Sequence, residues 1–449
     1  MIKLPAFVEN IIDVLEENGF EAYVVGGSLR DIYLGGEPHD WDVCTSAMPE
    51  ETVKCFEGYR IIETGMKHGT VTVMDGGNPV EITTYRIDGD YKDCRHPDNV
   101  TFTKNIEEDL KRRDFTVNAM AYSPKRGFVD CCGSRQDIEN GIIRCVGNAE
   151  QRFKEDALRI MRCMRFSAVL GFKVDAETEE AAKKLSCNLP AISKERVWAE
   201  LKKMLCAKDG VWLSNVLRKF TPVLEVLFPQ ITPAVGFPHN NPHHIYDVWE
   251  HILQAVSESV NDIDVRTALL FHDLGKPCVH TVDEKGISHF KQHQPVSEII
   301  ASEILTALKV DNKTKDTVCL LVKHHDDKIE NTPPCVKRWL RKIGEENFFK
   351  LLEIKRADIK AHAPEWIKNS LERCDDIEET ARKVILEKQC FKMSDMKING
   401  NDVMSLGVRS GKQVGHVLNT LLEMVISEEI ENEREKLLTK ARVIVDGNV

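Results

Sequence analysis

Apolar and polar residues alternate along Gly69-Thr70-Val71-Thr72-Val73-Met74 and again along Val80-Glu81-Ile82-Thr83-Thr84-Tyr85-Arg86, with Asp75-Gly76-Gly77-Asn78-Pro79 between them. A period of two with a glycine-rich turn predicts a strand hairpin. Upstream, the apolar run Tyr23-Val24-Val25 stops at Gly26-Gly27. There the backbone can turn tightly and bring bare N–H groups up to a phosphate, with Arg30 adding charge. From Glu155 to Phe166 the period changes to that of a helix, which predicts Asp156 and Arg159 on one face. On spacing alone they form a weak intrahelical ion pair. Asp88 to Pro97 is polar and broken by glycine and proline, which predicts a mobile loop. Near the end, glycine-rich turns with Arg409 and Lys412 lead into an apolar-periodic helix from Val417 to Val425. That unit suits either an RNA backbone or a simple helix cap.

With 449 residues, 42% of them hydrophobic, the chain has material for several domains with real cores. No apolar run approaches the ~20 residues that span a bilayer. Met1-Ile2-Lys3-Leu4-Pro5 carries no signal-peptide pattern, so a cytoplasmic protein without a membrane is expected. The 14 cysteines are scattered, which predicts reduced thiols filling core gaps rather than a zinc ribbon. A net charge of -11 argues against a generally basic nucleic-acid binder. Yet cations gather at Lys111-Arg112-Arg113 and at Arg152, Arg159, Arg162 and Arg165, enough for a local groove.

Asp40 and Asp42 stand one residue apart, and on a strand that spacing projects both carboxylates from one face. Such a pair chelates hard divalent cations and suits two-metal phosphoryl transfer. Gly-Gly-x-x-Arg-Asp lacks the Lys-Ser/Thr of a P-loop and the third glycine of a dinucleotide fingerprint. Gly26 to Asp31 followed by Asp40-Trp41-Asp42 resembles the nucleotidyltransferase signature of the polymerase-beta superfamily. Within it, the stretch is similar to the tRNA CCA-adding enzymes of the bacterial and eukaryotic class and to bacterial poly(A) polymerases.

The resemblance continues through Arg112-Arg113-Asp114-Phe115-Thr116-Val117-Asn118-Ala119-Met120. It implies that Arg113 grips triphosphate oxygens while Asp114 and Asn118 select the ribose. Glu81 becomes either a third metal carboxylate or a plain exposed strand glutamate. The 88–97 loop would help the site pass from CTP to ATP, and residues 130–144 would form a hinge. Glu155-Asp156-x-x-Arg159 matches the family's base-reading motif, with Arg162 and Arg165 joining Gly26, Gly27 and Arg30 around the nucleotide. An aspartate accepts from the exocyclic amino groups of C and A, whereas U and G present carbonyls and leave it unpaired. Ser193 to Glu200 resembles a buttressing helix with a structural role. The tail, with Arg409 and Lys412, would hold tRNA.

Farther along, His251, His272-Asp273-Leu274-Gly275-Lys276, His293, His324-His325 and Asp358 follow in an order that resembles the HD phosphohydrolase domain. The resemblance implies a metal site of His251, His272, Asp273 and Asp358, suited to Mn, Ni, Co, Fe or Mg. His293 and His324 fit positions that hold a second metal or a phosphate in some HD proteins.

These readings combine into an α+β chain: a polymerase-beta-type nucleotidyltransferase head with a mixed sheet, followed by all-α neck, body, HD and tail domains. The expected boundaries are 1–145 for the head, 146–235 for neck and body, 236–365 for the HD domain and 366–449 for the tail. The expected activity is template-independent addition of the 3′ CCA of tRNA from CTP and ATP with two Mg²⁺ ions, and no protein partner. Alternatives are an A-adding enzyme, a poly(A) polymerase, or an HD phosphohydrolase with an inactive RNA-binding head.

Overall fold

A computed structural model describes residues 2–38, 40–89 and 100–447, so most of the 88–97 loop lies outside the described residues. The chain divides into two compact units, Met1–Pro229 and Gln230–Val449.

The first unit opens with helix α1 (Ala6–Glu17) and a seven-stranded mixed sheet. Its strands are β1 (Ala22–Val25), β2 (Trp41–Thr45), β3 (Arg60–Ile62), β4 (Thr70–Asp75), β5 (Asn78–Thr84), β8 (Ala121–Ser123) and β9 (Gly127–Val129), while β6 (Arg86–Asp88) and β7 (Val100–Phe102) pair separately. The order is β3-β4-β5-β2-β1-β8-β9, and β2 and β5 run parallel. The expected hairpin is present as β4 and β5, turning at Gly76 (φ 56°) and Gly77 (φ 87°). Positive φ at both turn residues matches the right-handed twist of the flanking strands, and glycine adopts it without steric cost. Val24, Val43, Val71, Val73, Val80 and Ile82 are buried. Each such side chain contributes about 1.5–3 kcal/mol of hydrophobic stabilisation.

Helices α2 (Gly26–Tyr33) and α3 (Pro49–Cys55) pack against the sheet, and α4 (Ile106–Lys111) and α5 (Ser134–Asn140) complete the head. The helices α6 (Ala149–Glu155), α7 (Leu158–Leu170), α8 (Ala176–Lys184), α9 (Lys194–Leu205), α10 (Gly210–Lys219) and α11 (Thr221–Leu227) follow. The single helix expected across Glu155 to Phe166 is instead broken at Asp156, which is extended (φ −141°, ψ 106°). Its Oδ1 accepts the Leu158 N–H at 2.9 Å. A short carboxylate that bonds its own downstream backbone ends one helix and starts the next, and periodicity does not register it.

In the second unit, α12 (Val248–Ser257), α13 (Ile263–Phe271), α14 (His293–Ala307), α15 (Asn312–His324), α16 (Pro333–Ile343) and α17 (Glu345–Lys360) build a helical core. Helices α18 (Pro364–Leu386), α19 (Gly400–Met404), α20 (Gly411–Ile426) and α21 (Arg434–Asp446) follow. Asp247 caps α12 through the Glu250 N–H (2.9 Å), and Asp262 caps α13 through the N–H groups of Asp264 and Val265. Each cap is worth about 1 kcal/mol and fixes where its helix begins. Among the described residues every cysteine is a free thiol: Cys44, Cys145, Cys163, Cys374 and Cys390 are buried, while Cys187, Cys206 and Cys278 are exposed.

Candidate active site and metal cluster

At the end of β1, Gly26 takes φ +75°, and a Cβ there would lie 3.2 Å from Asp42 Oδ2 and 3.4 Å from Arg113 Nη1. Only glycine lets the turn sit directly on the carboxylate and the guanidinium. Asp42 lies on β2 opposite Val25 and, on the other side, opposite Glu81 of the parallel strand β5. Burial lifts the Asp42 carboxyl above the usual carboxylate range, Glu81 and Asp40 add to the rise, and Arg113 opposes it. This concentration of negative charge is what a divalent cation relieves, so the carboxylates fit the ions expected there. Asp40 stands in an exposed bend just ahead of β2, which starts at Trp41, so the strand-face geometry expected for the pair covers Asp42 alone. Among the described residues, Asp40, Asp42 and Glu81 do not draw together as tightly as the histidine clusters described below.

A cavity of about 370 Å³ opens beside Asp42, lined by Arg113, Asp114, Asp156, Arg159, Arg162 and Arg196 among others. Each guanidinium in it is held from within the chain. Asp109, fully buried, accepts Arg112 at 2.7 Å and Arg113 at 3.2 Å and also takes the Arg86 backbone N–H. Burial works against its charge, but Arg113 and Arg112 outweigh it and hold its pKa below the ordinary value. Asp114 accepts Arg162 at 2.6 Å and the Phe115 N–H at 2.9 Å. There too burial resists ionisation, yet Arg162 and Arg159 bring its pKa down to about 2.

Asp156 and Arg159 both face this cavity but do not pair with each other. Asp156 Oδ2 accepts Arg196 Nη2 at 2.9 Å, and Arg159 bonds Glu155 and the Arg152 carbonyl. The break at Asp156 is the reason, because it turns the carboxylate away from the helix face that carries Arg159. Arg196, on the helix read as a structural buttress, therefore touches Asp156 of the motif expected to read the base. Arg113 Nε and Arg196 Nη1 are buried without a hydrogen-bond partner. Buried donors of this kind are expensive unless an anion or polar ligand completes them.

Arg30, Asn118 and Arg165 lie one layer behind. Arg30 donates to Asn118 Oδ1 (2.6 Å) and Asp31 Oδ1 (2.7 Å), and Asn118 Nδ2 stands 3.5 Å from Asp114. Arg30, Arg162 and Arg165 gather around the Phe166 ring at 5.4, 5.3 and 4.0 Å. Arg165 also lies 2.6 Å from Glu200 of α9. Asp109, Arg196 and Glu200 were not singled out from the sequence. For Asp109 the signal was present, as Asp109, Arg112 and Arg113 are spaced three and four apart on a helix.

In the second unit, four imidazoles converge on two carboxylates. His251 Nε2 lies 2.8 Å from Asp358 Oδ1 and 3.4 Å from Asp273 Oδ2, and His272 Nε2 lies 3.4 and 3.5 Å from the same Asp273 and Asp358 oxygens. His293 Nε2 and His325 Nε2 approach Asp273 Oδ1 at 3.2 and 3.6 Å. Each ring's Nδ1 meets a backbone carbonyl: Ala361 for His251, Leu269 for His272, Phe290 for His293 and Val322 for His325. A carbonyl only accepts, so Nδ1 carries the proton and Nε2 turns its lone pair inward, the arrangement of a metal ligand. His272 Nε2 and both Asp273 oxygens are buried without a well-aligned hydrogen bond, although Lys276 Nζ is 2.6 Å from Oδ2. Burial pushes the His251 pKa down, and for His272 the Asp273 and Asp358 carboxylates overcome burial and raise it. Gly275 permits the approach, since a Cβ there would meet the His293 carbonyl at 2.5 Å.

The expected ligand His324 is not part of this cluster; His325 takes its place. His324 Nδ1 pairs with Asp327 at 2.7 Å and its ring packs edge-on against Trp339. Neighbouring residues at a helix end point about 100° apart, so only one of the two can face Asp273. In the tail, Arg409 precedes α20 and Lys412 sits in its first turn, both exposed.

Comparison with known proteins matches three stretches of the chain to family models. Residues 22–144 match the poly A polymerase head domain, 171–235 the probable RNA and SrmB-binding site of polymerase A, and 283–441 the putative tRNA nucleotidyltransferase domain 2. The CCA-adding enzyme of Ligilactobacillus salivarius (strain UCC118) is 33% identical over 445 residues, 98% of this chain and 96% of the relative. That of Geobacillus stearothermophilus is 32% identical over 441 residues, 96% of each. The crystal structure of the Bacillus stearothermophilus CCA-adding enzyme in complex with CTP superposes with a TM-score of 0.76 at 29% identity, covering 98% of both chains.

Proposed function

The chain belongs to the family of CCA-adding enzymes, and on that premise we propose how its residues divide the work of building the 3′ CCA of tRNA from CTP and ATP without a nucleic-acid template. The observation that carries the reading is the convergence of Asp42, Arg113, Asp114, Asp156, Arg159 and Arg196 on one cavity. Asp40 and Asp42, with Glu81 beside them, hold divalent ions, which we take to be Mg²⁺. When bound, such ions activate the tRNA 3′-hydroxyl and stabilise charge on the α-phosphate and departing pyrophosphate. Arg113 has a buried N–H free to meet triphosphate oxygens, and Gly26 and Gly27 admit the phosphate close to the backbone. Asp114 selects the ribose hydroxyl, held in place by Arg162 and by the Arg30–Asn118 pair behind it.

Asp156 accepts from the amino group of C or A, and Arg159 donates to the same base edge. Arg196 positions Asp156, so that U and G meet an acceptor facing an acceptor. Residues 1–145 transfer, 146–235 select the base, 236–365 form an HD domain, and Arg409 and Lys412 in the tail contact the tRNA backbone. The reading places the protein in the cytoplasm; no helix among the described residues is long and apolar enough to cross a membrane.

A second reading concerns the HD cluster. The buried groups His251, His272 and Asp273, with the half-buried Asp358, would hold a divalent metal ion, which would supply Lewis-acid chemistry for phosphoester hydrolysis. The first is tested by offering tRNAs that end before CCA, after C and after CC, with labelled CTP and ATP, and resolving products to single nucleotides. Completion of all three to CCA is expected. Extension of only the CC-ended tRNA, or long A tails, overturns the reading in favour of an A-adding enzyme or a poly(A) polymerase.

A further inference from the structure

Strand β9 ends at Val129, and Cys131 and Cys132 follow in a bend that leads through Gly133 (φ 72°) into α5. On a strand, adjacent side chains point to opposite faces, so two neighbouring thiols would be held apart. The bend removes that alternation, and the two Sγ atoms stand 3.6 Å from each other. Asp130 fixes the turn: its Oδ1 accepts the N–H groups of Cys132 (3.3 Å) and Ser134 (2.8 Å), and its Oδ2 accepts that of Arg135 (3.0 Å). Both thiols are free and half-buried. Cys131 Sγ meets the Glu107 carbonyl of α4 at 3.9 Å, and its side chain packs against the buried cluster that includes Ile106 and Leu110. The pair is absent from the lining of the cavity beside Asp42.

Two soft sulfurs held side by side suit a soft centre that bonds both at once. With sulfur bonds of about 2.3 Å, as in zinc thiolates, one such centre spans the 3.6 Å gap with both sulfurs where they stand. Once the first bond has formed, the second is intramolecular, and the turn fixed by Asp130 spares most of its ordering cost. We propose that Cys131 and Cys132 form a dithiol site for a trivalent organoarsenical, held through both sulfurs as one adduct per chain. The step balances without an oxidant. An arsenic(III) oxide, R–As=O, takes two thiols; two As–S bonds form, the arsenic–oxygen bond breaks, and the oxygen leaves as water with both thiol protons. Arsenic stays trivalent, and neither sulfur is oxidised. Burial and the neighbouring Cys131 sulfur push the Cys132 thiol up to about 12, while Lys111 pulls the other way. Reagents that need a ready thiolate find little of it there at neutral pH. The arsenical brings its own proton acceptor in its oxygen, so the pair discriminates in its favour.

The test weighs the intact protein. Native full-length chain is treated with phenylarsine oxide in excess glutathione, which strips arsenic from single thiols, and its mass is then measured. The expected result is one phenylarsenic adduct per chain in the wild type and in Cys278→Ser, which removes an exposed thiol, and none in Cys131→Ser or Cys132→Ser. The dithiol 2,3-dimercaptopropanol should release the adduct at a ~100-fold lower concentration than glutathione needs. An adduct that persists in both Cys131→Ser and Cys132→Ser overturns the proposal, and so does its absence from the native wild type. If circular dichroism shows either serine variant to be unfolded, peptide mapping of the modified wild type decides: arsenic must lie on the peptide that contains Cys131 and Cys132, and arsenic found only elsewhere sinks the assignment.

Discussion

The head cavity and the histidine cluster are both assigned to phosphate chemistry in the proposal above, yet they are built from opposite donors. Around Asp42 stand guanidinium groups held by carboxylates of the chain, Arg113 by Asp109, Arg162 by Asp114 and Arg196 by Asp156, and the Arg113 Nε and Arg196 Nη1 groups are buried without a partner. Around Asp273 the walls are lone pairs, and their protons have been handed to backbone carbonyls. The first surface is pre-organised to receive an anion, the second to receive a cation that in turn receives an anion. The comparison teaches that a site's ligand can be read from which hydrogen-bonding role its buried atoms are missing.

The sharpest break between the regions is Asp42→Ala. It should lower nucleotide addition on all three tRNA ends by ~1000-fold or more, the loss of several kcal/mol of charge stabilisation, while leaving cobalt retention by the histidine cluster, measured after gel filtration of Co²⁺-loaded protein, intact. A coordinate loss of both would mean that the two regions are not independent. Next in size is Asp109→Ala, which leaves Arg112 and Arg113 without their buried partner. Breaking a buried ion pair costs about 3–5 kcal/mol, readable as a fall in denaturation midpoint. A change under ~1 kcal/mol would show that the guanidiniums relax into solvent.

Asp156→Ala tests base choice separately from transfer. It should reduce kcat/KM for CTP and ATP by ~100-fold and narrow their advantage over UTP and GTP. Unchanged selectivity would move base reading off this residue. Smaller again is an acid effect at Asp114, whose folded pKa of about 2 lies below the ordinary carboxylate value. Its contribution is fully present above the unfolded pKa of about 4 and is lost as pH falls from about 4 to about 2. That loss, about 2 kcal/mol, should be absent from the stability profile of Asp114→Asn. The smallest pair is cap removal in each region, Asn148→Ala at α6 and Asp247→Ala at α12, each costing about 1 kcal/mol. The first should affect addition and the second cobalt retention, without crossing over.

Much of this molecule is written in short-range pattern. Alternation marked the β4–β5 hairpin, Gly26 marked a turn pressed against the Asp42 carboxylate, and the Arg113-Asp114 and His272-Asp273 pairs lie inside the two candidate sites. Such signals survive in sequence because strand alternation, positive φ and adjacent ligands depend on only a few consecutive residues. Partner choice does not. Asp156 pairs with Arg196, 40 residues away, rather than with Arg159 three residues away. Asp109 proves to be the buried anchor of the head's arginines, and His325 rather than His324 reaches Asp273. Each of these outcomes was decided by where a helix stops and which of its faces is buried. Both are settled by the packing of distant elements and by desolvation, which no local period records.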